Sequence, residues 1–280
     1  MRISAGNFIL DLSTGTKLMG IVNLTPDSFS HDGLLQKSSK PEAHVKIIDQ
    51  MVECGADIVD IGAESSRPGA TKISVKEEIN RLLPTLKAVI PHLTVPISID
   101  SYKSDVILAS LDSGASIINC IYGLRLTKQI LRHLRDYNAA IVVMHMRGTP
   151  LNMHLKTSYK DLVSNIVTEI RSSVDFCLDF GLKKDKIIID PGIGFAKTPQ
   201  LNFQLIDQLH KLTTLKVPVM VGVSRKSFLG NALSNMDKDR LAATAAAVSV
   251  SIINGANVIR AHDVSFIKDV ITTTDRIRNS

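Results

Sequence analysis

The sequence predicts an α/β protein in which eight short parallel strands close into a (β/α)8 barrel, the TIM-barrel architecture, preceded by a β-hairpin. Three observations support this fold class: apolar runs alternate with helical segments, there are eight such pairs, and no G-x-G-x-x-G fingerprint follows the first run. Strict alternation indicates a parallel sheet with helices outside it. An open doubly wound sheet is the alternative, and the missing fingerprint disfavours it.

The hairpin is predicted over residues 2–18, with turns at Gly6 and at residues 13–15. The predicted strands cover residues 17–23, 57–62, 95–100, 116–120, 139–146, 186–190, 217–223 and 257–262. The predicted helices cover residues 39–54, 103–113, 127–138, 158–180, 198–211 and 239–254, with two more beginning at Ser74 and Ser265. Capping boxes mark the helix starts at Ser39 and Ser74, and glycine ends three helices, at Gly55, Gly114 and Gly255.

The composition bounds the class of protein. No linker-like shift interrupts the 280 residues, so we expect a single domain over 1–280, with 1–18 as its hairpin. We expect no membrane span and no signal peptide, and the three cysteines without metal or redox spacing fit a reducing cytoplasm. The net charge of +6 suits an anionic substrate, whereas the scattered basic residues and few aromatic residues argue against nucleic acid as a partner.

Polar residues occur at the carboxyl end of every predicted strand. These residues are Asn23, Asp60, Asp100, Asn119, His145, Asp190, Lys226 and the pair Arg260 and His262. Each one alone is more simply explained as a helix cap, a turn residue or a buried histidine with its hydrogen bonds satisfied. Polar groups that enter a low-dielectric barrel mouth together are costly unless they are paired or used. Because the active sites of barrels lie at this end, we interpret the set as a site.

The residue types divide this site into two sides. Asp100, Asn119 and Asp190 suit a flat heterocycle with adjacent N–H donors. Lys226, Arg260 and His262 form a predicted phosphate site, and Asn23 with neighbouring carboxylates could hold Mg²⁺ through oxygen ligands, with diphosphate completing the shell. The expected ligand is therefore a heterocycle that carries a phosphorylated leaving group. The long loops after the first two strands are predicted to act as lids.

Eight stretches give the chain a resemblance to a known family. They are MGIVNLTPDSFS (19–30), DIVDIGAESSRPGA (57–70), PISIDS (96–101), SIIN (116–119), VVMHMRG (142–148), IIDPGIGFAKT (188–198), VGVSRKSFLG (221–230) and IRAHDV (259–264). With these motifs the chain closely resembles the dihydropteroate synthases of the pterin-binding family. The resemblance implies a barrel fold, a homodimer, and the joining of 6-hydroxymethyl-7,8-dihydropterin diphosphate to p-aminobenzoate in folate biosynthesis. It also implies sensitivity of the family to sulfonamides.

The resemblance also implies roles for single residues. The implied pterin-binding residues are Asp100, Asn119, Met144, Asp190, Phe195 and Lys226. The implied diphosphate-binding residues are Asn23, Arg260 and His262, with Asn23 as the Mg²⁺ ligand. The implied p-aminobenzoate-binding residues are Ser66, Arg67, Pro68, Lys226 and Ser227. Asp100, Asp190, Lys226 and Arg260 are the implied catalytic residues, and we expect Asp190→Asn or Arg260→Ala to reduce turnover at least about a hundredfold with folding intact.

The chain departs from the family pattern at four positions. Cys120 replaces an aspartate, Ile193 a phenylalanine and Ser66 a threonine, and His31 is an extra residue in the first loop. The loss of the carboxylate at Cys120 is the departure that bears on how Asn119 is held. Two rival functions are a methyltransferase that binds methyltetrahydrofolate, which needs no diphosphate site, and a non-catalytic paralogue that keeps the fold.

Overall fold

The computed structural model describes residues 1–25, 41–65, 71–233 and 239–280. The strands are β1 (Arg2–Ala5), β2 (Phe8–Asp11), β3 (Lys17–Asn23), β4 (Ile58–Gly62), β5 (Ile97–Asp100), β6 (Ile117–Cys120), β7 (Ala140–Met144), β8 (Ile187–Asp190), β9 (Met220–Val221) and β10 (Val258–Ala261). The α-helices are α1 (Pro41–Glu53), α2 (Val75–Val89), α3 (Ser104–Asp112), α4 (Lys128–Asp136), α5 (Leu162–Asp179), α6 (Pro199–Asp207), α7 (Ser227–Gly230), α8 (Leu241–Ile253) and α9 (Val264–Arg278). Single turns of 3₁₀-helix cover Gly123–Arg125, Met153–Leu155 and Lys184–Lys186, and a longer one covers Leu209–Leu215.

The eight strands from β3 to β10 form one parallel sheet that closes on itself. Their order is β8-β7-β6-β5-β4-β3-β10-β9, and a parallel bridge between Ile189 and Val219 joins the two ends. The predicted barrel with an N-terminal hairpin is thereby confirmed. The seventh barrel strand is shorter than the predicted 217–223, because only Met220–Val221 pairs regularly. Pro218 has no N–H to donate to the ladder, although its carbonyl accepts from Ile189 N at 2.9 Å.

The alternation of side chains along each strand sorts the core into two compartments. On one face of the sheet, residues such as Val59, Ile118 and Ile189 point toward the helices and belong to the large outer core. Their neighbours Ile58, Ile117 and Ile188 face the barrel axis and fill its lower half. Two residues further along the same strands, the inward positions become polar. The carboxyl ends of the strands therefore hold polar side chains above an apolar floor.

The N-terminal hairpin closes the bottom of this interior. Ile3 and Ala5 of β1, together with Leu12, pack against inward residues of the barrel such as Met19 and Val258. β1 and β2 pair in antiparallel register from Arg2–Asp11 to Ala5–Phe8. The hairpin thus shares a core with the barrel and leaves only the opposite end open.

The helix ends follow the predicted signals. Ser74 caps α2 by accepting a hydrogen bond from Glu77 N at 3.1 Å, whereas the predicted cap at Ser39 lies outside the described residues. Gly55, Gly114 and Gly255 have φ values of +95°, +105° and +102°, the left-handed conformation that ends a helix without a Cβ clash. No helix in the described parts of the chain combines the length and the apolar character that crossing a bilayer requires.

Candidate active site

An ion-pair network lies at the open end of the barrel. Arg260 of β10 donates through Nε to Asp60 Oδ2 at 2.7 Å and through a terminal nitrogen to Asp100 Oδ2 at 2.9 Å. Asn119 of β6 donates to the same Asp60 Oδ2 at 3.0 Å. Four strand ends, from β4, β5, β6 and β10, therefore meet at two carboxylates and one guanidinium. The network joins the predicted ring side to the predicted anion side.

The charges in this network modify each other. Burial disfavours the charged form of Arg260, but Asp60 and Asp100 outweigh burial and raise the pKa of the guanidinium. Burial also raises the pKa of Asp100 to about 7, while the Arg260 charge opposes that rise. Asp60 Oδ1 is wholly buried and has no hydrogen-bond partner among the described residues. Among these residues Asp60 therefore makes its side-chain hydrogen bonds through Oδ2 alone.

Asp190 ends β8 and is fixed by its own loop. The backbone N–H of Gly192 donates to Asp190 Oδ1 at 2.7 Å, which orients the carboxylate toward the barrel axis. Burial raises the pKa of Asp190, and the positive charges of Lys226 and Arg260 counteract this effect. The simpler explanation of Asp190 as a turn residue is thus also correct, because the carboxylate that lies in the mouth also accepts a hydrogen bond from its own loop.

Lys226 enters the site from the loop after β9. Its Nζ donates to the carbonyl of Ile193 and lies 4.7 Å from the centre of the Phe195 ring, a cation–π geometry. Burial lowers the pKa of Lys226 to about 8, although Asp190 favours its charge. The preceding Arg225 has a left-handed φ of +56° and donates to Asp263 at 2.9 Å. Arg225 therefore pairs with Asp263, while the neighbouring charge of Lys226 interacts with Asp190.

An apolar wall borders the charged groups. Met144 from β7 is 3% exposed and packs in a small cluster with Ile121, Ala196 and the half-buried Phe195. Met144 is the last residue of a strand whose alternate positions Ala140 and Val142 also face the interior. The mouth thus combines a flat apolar surface with carboxylates at its edge, which suits a planar polar ring.

The remaining predicted residues lie in several places. Asn23 is half-buried at the end of β3, beside Gly62 of β4. His262 follows β10, where its Nδ1 lies 3.0 Å from Ser224 Oγ. Ser227 is exposed at the start of α7, next to Lys226. Ser66, Arg67 and Pro68, as well as the loop residue His31, lie outside the described residues.

His145 differs from the other strand-end residues. It follows the inward-facing Met144, so its side chain points away from the mouth and contacts Glu169 Oε2 of α5 at 3.1 Å. Burial lowers its pKa to about 4. His145 is therefore a buried histidine behind the wall of the site, and the simple explanation of it is correct.

The family departure at Cys120 does not disturb the mouth. Cys120 belongs to the outer core between sheet and helices, whereas its neighbour Asn119 faces the barrel axis and is held by Asp60. Burial raises the pKa of the Cys120 thiol to about 12. A small apolar thiol suits this position, because a cysteine packs there as a hydrophobic residue.

Sequence reasoning missed two groups that build the site. Asp60 appeared among the strand ends but received no role, although it connects Arg260 with Asn119. Lys197 received no notice, yet it is 8% exposed and donates to the carbonyls of Gly192 and Phe195. The available signal was a lysine inside an otherwise glycine-rich and apolar loop at a strand end.

Known proteins share this fold and these motifs. The model of a family described as pterin binding enzyme matches residues 19–262. A dihydropteroate synthase from Synechocystis sp. is 39% identical over 98% of this chain and 94% of the relative, and one from Escherichia coli K12 is 35% identical over 94% and 92%. The crystal structure of the Yersinia pestis dihydropteroate synthase with a sulfonamide drug superimposes with a TM-score of 0.93 at 34% identity and covers 100% of both chains. That of the Thermus thermophilus enzyme with 4-aminobenzoate gives 0.86 at 31% identity, over 99% of this chain and 100% of that one.

The family match over residues 19–262 and the full-length relatives show that this closed parallel barrel belongs to the family of pterin-binding enzymes. Within the family it is one of the dihydropteroate synthases, which are transferases of folate synthesis.

Proposed function

We propose that the chain joins 6-hydroxymethyl-7,8-dihydropterin diphosphate to p-aminobenzoate and releases 7,8-dihydropteroate and diphosphate. The C–O bond of the pterin methylene breaks with its electron pair on the diphosphate, the arylamine nitrogen forms a C–N bond to that carbon, and the amine loses one proton to solvent. The observation that supports this most directly is the network of Asp100, Arg260 and Asn119 above the apolar floor. At one barrel mouth, this network has hydrogen-bonding groups for the polar edge of a ring and a positive charge for an anion.

The ring side of the proposed site consists of Asp190, Asn119 and Asp100, with Lys226 above them. Gly192 N occupies one oxygen of Asp190, so the other oxygen can accept N–H groups from the amino-pyrimidinone edge. Met144 and Phe195 would pack on the faces of the ring. As the leaving group departs, positive charge develops in the dihydropterin, and the fixed carboxylates of Asp100 and Asp190 stabilise it.

The anion side of the proposed site consists of Arg260, His262 and Asn23. A guanidinium has five N–H donors, and the contacts to Asp60 and Asp100 leave donors for the diphosphate. Ser224 orients the imidazole of His262 next to the start of α9. The positive charge of Arg260 thus lies between the carboxylates that stabilise the ring and the anion that leaves.

We propose that Mg²⁺ binds at Asn23 on the anion side of the site. Among the described residues no group of three or more His, Cys, Asp or Glu side chains could hold a metal ion. The proposed ligand is the amide oxygen of Asn23, and diphosphate oxygens and water would complete the shell, since Mg²⁺ binds oxygen ligands and retains several waters. When bound, Mg²⁺ would neutralise charge on the departing diphosphate.

The p-aminobenzoate site is proposed to lie beside Lys226 and the exposed Ser227, with Ser66, Arg67 and Pro68 as its other contributors. The arylamine attacks as the neutral amine, so the reaction needs no strong base. In this proposal Lys226 interacts with the pterin and, next to it, with the incoming aminobenzoate.

A coupled assay of diphosphate release tests this function. We expect release that depends on p-aminobenzoate, forms 7,8-dihydropteroate in equal amount and stops when Mg²⁺ is chelated. Methyl transfer without diphosphate release would favour the methyltransferase, and pterin binding without turnover would identify a non-catalytic paralogue. Either result would overturn the proposal.

The assembly and compartment are also proposed. Exposed apolar side chains on α8 and α9, among them Val250, Ile253 and Phe266, support a homodimer. The three cysteines are free thiols, as expected of a protein kept in the cytoplasm. Light scattering of the purified chain checks the first proposal, and cell fractionation checks the second.

A further inference from the structure

Lys197 is a buried lysine behind the Asp190 loop. It is 8% exposed, and its Nζ donates to the carbonyl oxygens of Gly192 at 3.0 Å and Phe195 at 2.9 Å. The third contact of Nζ is His145 Nδ1 at 3.2 Å. Burial lowers the pKa of Lys197 to about 7, and the charge of Asp190 opposes this shift. The ammonium form has three donors for these three acceptors, and the neutral amine still has two N–H groups for the two carbonyls. No carboxylate of the described residues lies within ion-pair distance of Lys197, which makes this a clamp on backbone carbonyls.

The imidazole acceptor is itself held in one tautomer. His145 Nε2 lies 3.1 Å from Glu169 Oε2, and Arg147 donates to Glu169 Oε1 at 3.1 Å. Burial lowers the pKa of His145 to about 4, so the ring is neutral at neutral pH. Its one N–H therefore points to Glu169, and Nδ1 keeps a lone pair for Lys197. A chain of contacts thus runs from the surface of α5 to the clamp.

The loop under the clamp bears two parts of the proposed pterin site. Gly192 N orients Asp190, and Phe195 contributes to the apolar wall. The loop has a further contact at Ala196, whose carbonyl accepts a hydrogen bond from the Tyr159 hydroxyl at 3.0 Å. A Cβ on Gly192 would lie 2.0 Å from the carbonyl oxygen of His145, so the loop packs directly on the backbone that follows β7. Lys197 holds this loop at both ends, through the carbonyls of Gly192 and Phe195.

We propose that Lys197 is a positioning residue for pterin binding: its Nζ holds the Gly192 and Phe195 carbonyls so that Asp190 and Phe195 keep the geometry that binds the ring. This role rests on the proposed function. A methionine at 197 leaves the Phe195 carbonyl without its donor and the Gly192 carbonyl with only the backbone N–H of Phe195, and the loop then reorganises to satisfy them. The consequence is weaker pterin binding, with a smaller effect on p-aminobenzoate, whose proposed contacts Lys226 and Ser227 lie outside this loop.

Lys186 provides a matched control. It directly precedes β8, whereas the Asp190 loop follows the other end of that strand. It is also 8% exposed, and its Nζ donates to the carbonyls of Asn138 at 2.7 Å and Ser4 at 3.4 Å. Lys186 lies at the closed bottom of the barrel, next to β8 and the hairpin. Lys186→Met thus removes a buried lysine clamp of the same type without touching the mouth.

The test compares Lys197→Met with Lys186→Met and the wild-type chain. Titration calorimetry measures the affinity for the pterin diphosphate without p-aminobenzoate, and steady-state kinetics gives KM for p-aminobenzoate at saturating pterin. For Lys197→Met we expect pterin affinity to fall at least about tenfold and the p-aminobenzoate KM to stay within about twofold. For Lys186→Met both constants stay within about twofold, whatever its thermal midpoint.

Lys197→Arg keeps the test decisive if Lys197→Met does not fold. A planar guanidinium keeps the charge but cannot direct donors from one atom to three acceptors, so we expect an intermediate loss of pterin affinity of about threefold or more. Unchanged pterin affinity in the folded variant, or equal weakening by Lys186→Met, overturns the clamp. The proposed function is tested separately by wild-type diphosphate release, so the two failures are distinguishable.

Discussion

Arg260 donates to Asp60 at 2.7 Å, and the same carboxylate oxygen accepts from Asn119 at 3.0 Å. Asp60 is fully buried, so one oxygen fixes both the predicted anion side and the predicted ring side. We predict that Asp60→Asn lowers kcat/KM for the pterin diphosphate about 10- to 100-fold, because a charge-assisted hydrogen bond of about 1.5–3 kcal/mol is lost. Steady-state kinetics measures this loss.

The control for this prediction is Asp57→Asn. Asp57 lies just before the same strand, where it accepts from Leu18 N at 2.9 Å and pairs with Lys268 at 3.3 Å. Its loss affects the bottom of the barrel and leaves kcat/KM unchanged. Equal effects of the two substitutions would show that Asp60 acts only on stability.

Asp190→Asn is predicted to reduce turnover at least about a hundredfold, since a well-placed charge in such a site is worth about 3 kcal/mol. The amide oxygen can still accept from Gly192 N, so the loop keeps its shape. A thermal midpoint near that of the wild type and a loss in steady-state turnover are the expected results. A near-normal rate would remove Asp190 from the mechanism.

For Arg260 the structure changes what the sequence predicts. Arg260→Ala removes the cation between Asp60 and Asp100, and breaking a buried ion pair costs about 3–5 kcal/mol. We therefore expect the alanine variant to lose stability as well as turnover, whereas the sequence alone predicted that folding would stay intact. Arg260→Lys retains the charge and separates the two effects: denaturant unfolding stays closer to the wild type, while turnover falls. A fully stable Arg260→Ala would contradict this account of the network.

Side-chain alternation accounts for most of what the sequence could predict about the site. Asp60, Asn119 and Asp190 each lie two residues after an inward apolar residue, so barrel geometry places them in the mouth. The same rule excludes His145, because it follows the inward Met144. The strand-end pattern predicted site roles for the inward residues and for His145 alike. Only the direction of each side chain distinguishes the residues in the mouth from those behind its wall.

Loop-borne groups could not be placed in this way. Lys226 lies five residues after a strand of two residues, and its position depends on the left-handed Arg225 and the Ile193 carbonyl. The hydrogen-bond partners of these side chains could not be predicted either. Asp60 and Arg260 lie 200 residues apart, and nothing in that spacing indicates that they share a hydrogen bond. Long-range contacts of this kind arise only when the barrel closes.

The raised pKa of Asp100 predicts a pH dependence of catalysis. Burial outweighs Arg260 and raises this pKa to about 7, so the carboxylate charge is present above that pH and is lost as the pH falls through it. The ratio of kcat/KM for the pterin diphosphate between the wild type and Asp100→Asn should therefore increase from about pH 6 to about pH 8. Ionisation of the substrate is common to both enzymes and cancels in the ratio. A ratio that is flat across this range would show that the charge of Asp100 is not used.

Lys103 is predicted to support p-aminobenzoate binding from a distance. Its Nζ contacts Glu64 Oε2 at 2.6 Å and the Ile73 carbonyl at 2.7 Å, and Ile73 N donates back to Glu64 at 2.9 Å. Glu64 and Ile73 flank the segment that contains Ser66, so the lysine ties both stems of that loop together. We expect Lys103→Met to raise the p-aminobenzoate KM about tenfold and to change pterin affinity less than about twofold, with Lys268→Met at the barrel bottom as the control. Equal losses for both substrates would instead assign Lys103 to the stability of the barrel.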